Sequence, residues 1–192
     1  MKLVLRSTLY VIVLTALLGG AYPAAVTLVA GKLWPDRANG SFVVSAGRVV
    51  GSELIGQNFR APKYLHPRPS AAGKDGYDAT ASGGTNKGPT DADLAKSIQA
   101  AVEEARKDRP GDPRPVPADL VTSSASGLDP HLSPDAAQWQ AARIARARGM
   151  TEEQVLAVIR RHTEPRTLGF LGEPRVNVLL TNLDLDGTPV GP

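Results

Sequence analysis

The sequence predicts an α/β (α+β) domain of three helices and a few strands, exported from the cytoplasm and tethered by one N-terminal transmembrane helix. Three observations predict it. Ser7 to Gly31 is an apolar run with no charged residue. Three later segments place helix caps ahead of apolar residues at helical spacing. Short β-branched runs stand between stretches rich in glycine and proline. The corresponding boundaries are 1–6 for a short cytoplasmic start, 7–31 for the membrane helix and 32–192 for the soluble domain.

As a helix the run Ser7 to Gly31 is about 37 Å long, against a hydrocarbon core of about 30 Å. A cleaved secretory signal is the competing reading, since small residues lie near Gly19 to Ala21. The apolar run continues past that point through Ala24, Ala25, Val26, Leu28 and Val29, which favours a retained span. Gly19, Gly20 and Pro23 predict a thin, kinked segment suited to packing against another helix. Lys2 and Arg6 on one side face Lys32 and Arg37 on the other, so the basic count barely orients the span. The shape of a short start before a large domain favours N-terminus inside, domain outside. Trp34 and Tyr10 suit interfacial anchors, and membrane lipid is accordingly an expected partner.

Beyond the span, Phe42 to Gly56 predicts a hairpin turning at Ser45 to Gly47. Ala61 to Pro89 has almost no periodic pattern and is read as one long loop. A helix opens at Thr90, with Asp91 and Asp93 in its first turn and Leu94, Ile98, Ala101, Val102 and Ala105 as one buried stripe. Asp108 to Pro115 ends it. Val116 to Val121 is a candidate edge strand. Ser133, Pro134 and Asp135 begin a helix that runs to Arg148, with Gly149 as its left-handed stop. Thr151 and Gln154 form a capping box for the next helix, with Met150 and Val155 as a hydrophobic staple. The stretch RVNVLLTNLDLD alternates Val176, Val178 and Leu180 with Asn177, Leu179 and Thr181 and reads as a strand.

Composition excludes several functions. The chain has no cysteine, which removes disulfides, thiol nucleophiles and Cys-ligated metals. Lys2 and Arg6 are two of its 22 basic residues, so 20 face 19 acids in the rest. No basic patch with interleaved aromatics stands out, and no nucleic acid is expected. The stretch VTSSASGLDPHLSPD raises the alternative of an exported, membrane-anchored serine hydrolase using Ser124 or Ser126 with His131. SASGL lacks the first glycine of a G-x-S-x-G elbow. Asp129 is better read as a turn cap, and the three histidines, His66, His131 and His162, show no metal-ligand spacing. His162 is read as structural, bonding free carbonyls at a helix end. SGGTNKGPT has a phosphate loop's residues in the wrong order, with Lys87 ahead of Gly88 and Pro89. Trp139, Arg143 and Arg146 are placed on an outward helix face, Arg143 stacking on Trp139, with either a neighbouring loop or a partner protein covering the indole.

Together GSELIGQNF, RPSA, YDATASGGTN, VPADLVTSSASGLDPHLSPDAA, QAARIARARG and FLGEPRVNVLLTNLDLD resemble, in order, the C subunit family of the Kdp-type potassium-transporting ATPase. The departures are Leu65-His66-Pro67 before RPSA, Thr85, Trp139 and the tail GTPVGP. The resemblance implies a non-catalytic accessory subunit with one membrane helix. Its implied partners are a channel-like potassium-binding A subunit, a P-type ATPase B subunit and a small F subunit. It implies no covalently bound cofactor. The family is described as stabilising assembly and as a catalytic chaperone that raises the pump subunit's affinity for ATP, with the glutamine matching Gln140 as a nucleotide contact. ATP is cytoplasmic, so an exported domain and a direct ATP contact exclude each other. On the residues alone, Gln140 flanks the apolar stripe of its helix, where an amide bonding a loop backbone suffices.

Overall fold

The computed structural model describes residues 1–187; the tail GTPVGP lies outside the described residues from position 188 on. Its contacts divide the chain into two compact units, Met1–Phe42 and the remainder from Val43. In the first, helix α1 runs from Lys2 to Leu33 and is long and apolar enough to cross a membrane, with none of its apolar window buried. Its length is about 48 Å. Leu17–Ala21 is a π-turn, with Tyr22 N–H donating to Leu17 O. The cause is Pro23, which offers no N–H and whose ring crowds the carbonyl four residues back. Widening the helix by one residue over Gly19 and Gly20 relieves that clash without breaking the rod. A single turn, α2 (Pro35–Ala38), follows.

Strands β1 (Phe42–Ser45) and β2 (Arg48–Ser52) form the expected hairpin. Ala46 and Gly47 make the turn, both at positive φ, +47° and +75°. Such a two-residue turn matches the twist of the strands, and alanine is a poor occupant of its first position. Ala46→Asn is expected to raise the thermal midpoint of the full-length chain by about 2 °C, and a drop would show the turn to be of another type. The hairpin is tied to the rest by Gln57 Nε2 donating to Val50 O at 2.8 Å and Asn177 Nδ2 donating to Glu53 O at 2.9 Å.

Helix α3 (Ala92–Arg106) is capped by Asp91, whose side chain accepts from the N–H groups of Asp93 and Leu94. The cap is thus Asp91 and not Thr90. Of the stripe positions, Leu94, Ile98, Ala101, Val102 and Ala105, none is fully buried. Ala118–Leu120 is a 3-10 turn where a strand is expected, because Pro117 leaves no amide for a ladder and Thr122 instead donates back to Ala118 O at 2.8 Å.

Ser133 caps α4 (Pro134–Trp139), and α5 (Ala141–Arg148) ends at Gly149 with φ +66°. The predicted single helix is interrupted at Gln140. There the side-chain Nε2 donates to Ala136 O at 3.4 Å, while the backbone N–H bonds Ala137 O instead, a local competition that tightens the turn. Helix α6 (Glu152–Arg161) opens with the expected capping box; Val155 belongs to the core and Met150 packs against it. Strands β3 (His131–Leu132), β4 (Thr163–Glu164) and β5 (Arg175–Asn177) form a small antiparallel sheet in the order β3-β5-β4, pairing Leu132 and Thr163 with Val176. The predicted strand past Asn177 is instead helix α7 (Val178–Leu185). Asn177 Oδ1 accepts from Leu180 N–H and caps it, which turns Val178, Thr181, Asn182 and Leu185 onto one buried side.

The fold is therefore the mixed α+β class expected, with five helices from Val43 on among the described residues where the sequence suggests three. Its core joins Leu132, Ile144, Val155, Ile159, Val176 and Val178, each at most 2% exposed, and Leu65 from the long loop is fully buried with them.

Candidate functional site

Leu65 is apolar enough to be buried, but its backbone lies in a segment with no strand beside it. Peptide groups taken out of water need partners. The structure supplies them from side chains. Asn182 accepts from Leu65 N–H at 2.7 Å and donates to Leu65 O at 3.0 Å. Gln140 accepts from His66 N–H at 2.8 Å and donates to His66 O at 3.0 Å. Two carboxamides thus replace the neighbouring strand that this segment lacks. Arg143 donates to Pro62 O and Tyr64 O, and Arg148 to Lys63 O, so five consecutive carbonyls, Pro62 to His66, are held by side chains. The donors come from the helices: Gln140 from the joint between α4 and α5, Arg143 and Arg148 from α5, and Asn182 from α7.

Gln140 is 1% exposed. Its Oε1 also accepts from Arg143 Nη2 at 2.5 Å, so both lone-pair directions and both amide protons have partners. Arg143 Nε lies 2.9 Å from Asp108 Oδ1, an ion pair whose angle is poor for a hydrogen bond. Above these groups the loop and α3 enclose a cleft of about 610 Å³ lined by Arg60, His66, Arg68, Tyr77, Glu104 and Arg143 among others. His66 Nε2 bonds Ala61 O at 3.0 Å. Burial, and then the charge of Arg143, lowers the imidazole's pKa. Neutral in the fold and freer to charge when unfolded, His66 removes stability as pH falls through its ordinary value near 6.5. Burial, and then Asp129, pushes the Tyr77 phenol up, and it stays protonated to donate to Arg68 O at 2.8 Å.

The hydroxyl-rich stretch serves as a second fastening for the same loop. Ser124 Oγ accepts from Gly127 N–H at 2.9 Å and Ser126 Oγ from Leu128 N–H at 3.1 Å. Ser70 Oγ donates to Gly127 O at 2.6 Å, and Gly83 N–H to Ser126 O at 2.8 Å. Asp129 Oδ1 caps its turn by accepting from His131 N–H at 3.0 Å, and its other oxygen takes Arg68 at 3.2 Å. Among the described residues no hydrogen bond joins His131 to Ser124 or Ser126. No group of three or more acids and histidines is placed to hold a metal ion among them either. Lys87 pairs with Asp91 at 3.8 Å and Asp93 at 3.9 Å. His162 bonds Asp184 at 2.9 Å, a carboxylate and not a carbonyl.

Trp139 faces inward at 3% exposure, donating from Nε1 to Ala105 O at 2.9 Å. Arg114 sits over its ring at 5.7 Å, the place expected of Arg143. The joint at Gln140 turns Arg143 toward the loop instead.

The pattern of the family described as "K+-transporting ATPase, c chain", KdpC, matches residues 4–187. The chain belongs to the KdpC family. A potassium-transporting ATPase KdpC subunit of Myxococcus xanthus is 58% identical over 183 residues, 95% of this chain and 85% of that one. The corresponding KdpC subunits of Koribacter versatilis and Nitratidesulfovibrio vulgaris are 50% and 51% identical, covering 97% and 100% of this chain and 95% and 97% of their own. KdpC membership makes the chain a subunit of a potassium-transporting ATPase, and α1 fits a single-pass membrane protein. Sequence reasoning reached the family and Gln140 but missed Asn182, Arg143 and Arg148 as holders of the loop. The one signal was an amide on each of two apolar helix faces.

Proposed function

We propose that this KdpC subunit is a non-catalytic, assembly-stabilising part of the potassium uptake complex. Residues 1–6 lie in the cytoplasm, 7–31 cross the membrane, and the domain from 32 on stands outside. Its partners are the potassium-binding A subunit, the ATPase B subunit and the small F subunit. The observation that carries this reading is a 32-residue apolar helix with no face buried in its own chain, which calls for lipid and partner helices. Any rise in ATP affinity reaches the ATPase subunit through the assembled complex. Gln140 acts as a clamp on the loop, supported by its burial and its full set of partners. The serine hydroxyls are engaged in turns, which supports a structural role for them over a hydrolytic one.

Tagged full-length chain is expected to co-purify with the other subunits in mild detergent, and a chain lacking residues 1–33 is not. Recovery of a lone full-length monomer from native membranes would overturn the reading. Orientation is tested separately: with no native cysteine, Lys74→Cys at an exposed position should react with an impermeant maleimide from outside. Reaction only after permeabilisation would place the domain with ATP and restore a nucleotide contact.

A further inference from the structure

Helix α3 walls the cleft with Ala101, Glu104 and Ala105, yet only its C-terminal end is fastened. There Trp139 Nε1 donates to Ala105 O at 2.9 Å, Arg146 Nη2 to Asp108 O at 3.2 Å, and Arg109 to Trp139 O at 2.9 Å and Gln138 O at 3.0 Å. Arg143 and Glu152 add ion pairs to Asp108 and Arg109. That end is anchored to α4, α5 and α6. The next fastening upstream is Gly83, whose N–H donates to Ser126 O at 2.8 Å. Among the described residues, no ion pair, and no hydrogen bond beyond the ladder of α3 itself, joins residues 85–103 to the rest of the domain. The ion pairs close within the segment: Lys87 lies 3.8 Å from Asp91 and 3.9 Å from Asp93, and Lys96 3.8 Å from Asp93. Apolar contact alone holds it down. Leu94, Ile98, Ala101 and Val102 are only half-buried, and none belongs to the core cluster.

We infer that residues 85–104 are a strap that swings off the cleft about Ala105 while the rest of the fold stays closed, setting whether His66 and Arg143 are reached from solvent. Lifting it breaks no hydrogen bond outside the helix and exposes only side chains already half wet. Moving α5 or α6 would instead uncover Ile144, Val155 and Ile159, each at most 1% exposed. A segment with few buried apolar groups and no outside hydrogen bonds opens at the low end of local stability. Gly88 supplies the second pivot, since even an added Cβ there meets nothing within 4 Å. The inference stands on contacts within the domain and goes beyond the accessory-subunit reading without depending on it.

The test uses spin labels on the otherwise cysteine-free full-length chain in mild detergent. Ala95→Cys on the free part of α3 is paired with Arg160→Cys on α6, and Lys107→Cys with Arg160→Cys is the control pair beyond the pivot; all three positions are exposed. The 95–160 pair is expected to show a second distance population that the control pair lacks. Ile98→Ala removes burial from the underside and is expected to raise that population about tenfold relative to the closed form. The same variant should lower the thermal midpoint by less than about 3 °C, against about 10 °C for Ile144→Ala in the core. Equal losses would make α3 part of the cooperative core and overturn the strap. One narrow 95–160 distribution in both the parent chain and Ile98→Ala overturns it as well. Access is read at Pro67, which lines the cleft. A bulky maleimide should react with Pro67→Cys about tenfold faster in the Ile98→Ala background. An unchanged rate there, with the distance population shifted, would mean that the segment moves without controlling the cleft, and the inference fails.

Discussion

Gln140→Ala is expected to lower the thermal midpoint of the full-length chain in detergent by about 10 °C. The reason is the state in which it leaves His66. Both peptide groups of that residue lose their partners together, at about 1–3 kcal/mol for each group left unsatisfied, and a small cavity opens beside the core. Arg143 also loses the Oε1 that it reaches at 2.5 Å. A total of about 3–4 kcal/mol corresponds to that midpoint shift in a chain of this size. Gln140→Leu keeps the volume and removes the bonds, so it separates the two contributions: a loss nearly as large as alanine's assigns the effect to hydrogen bonding. Asn182→Ala should cost a similar amount through Leu65. Because the two amides hold adjacent residues of one loop, the double variant should lose less than the sum, with a coupling of about 1 kcal/mol or more. Strict additivity would mean that the loop is not held as a unit. An unchanged midpoint for Gln140→Ala, with weakened ATP dependence of the assembled ATPase, would instead make the amide a nucleotide contact.

The parts of this architecture that were legible in the sequence are those written in local chemistry. Ser133-Pro134, Thr151 with Gln154, Gly149 and the Ala46-Gly47 turn each fix a boundary through a neighbouring backbone group, and each stands where expected. The misreadings arise where a distant partner decides. Val178 to Leu185 alternates well enough for a strand, but Asn177 closes a cap and Asn182 finds Leu65 across 117 residues of chain. Gln140 interrupts a good helical pattern because its amide serves a loop 74 residues away. Arg143 reads as stacking on an outward Trp139 and Arg148 as the last residue of its helix, and their loop carbonyl acceptors become visible only once the chain is folded. The site was legible as a residue and illegible as an arrangement.

Gly127→Ala is the second substitution with a large expected effect, and it decides what the serine stretch is for. Gly127 sits at φ +66°, where alanine costs about 1 kcal/mol. A Cβ there would lie 2.7 Å from Gly83 O, 2.8 Å from Ala72 N and 2.9 Å from Ala72 Cβ. Two of these are backbone atoms of the opposing loop, and Ala72 is fully buried, so no flexible side chain can yield. Forcing the two loop segments apart would also lengthen the 2.6 Å bond from Ser70 to Gly127 O and the 2.8 Å bond from Gly83 N–H to Ser126 O. Backbone strain and overpacking together come to about 3–4 kcal/mol, or roughly 10 °C in midpoint. Gly88→Ala is the control, since a Cβ there meets nothing within 4 Å and φ is ordinary. It should leave stability within about 0.5 kcal/mol. A phosphate cradle at Ser82 to Thr90 predicts the reverse ranking in function, with Gly88 sensitive through close backbone approach to a ligand. A fastening of two loops through Gly127 predicts that Gly127→Ala loses fold and potassium transport together, whereas Gly88→Ala keeps both.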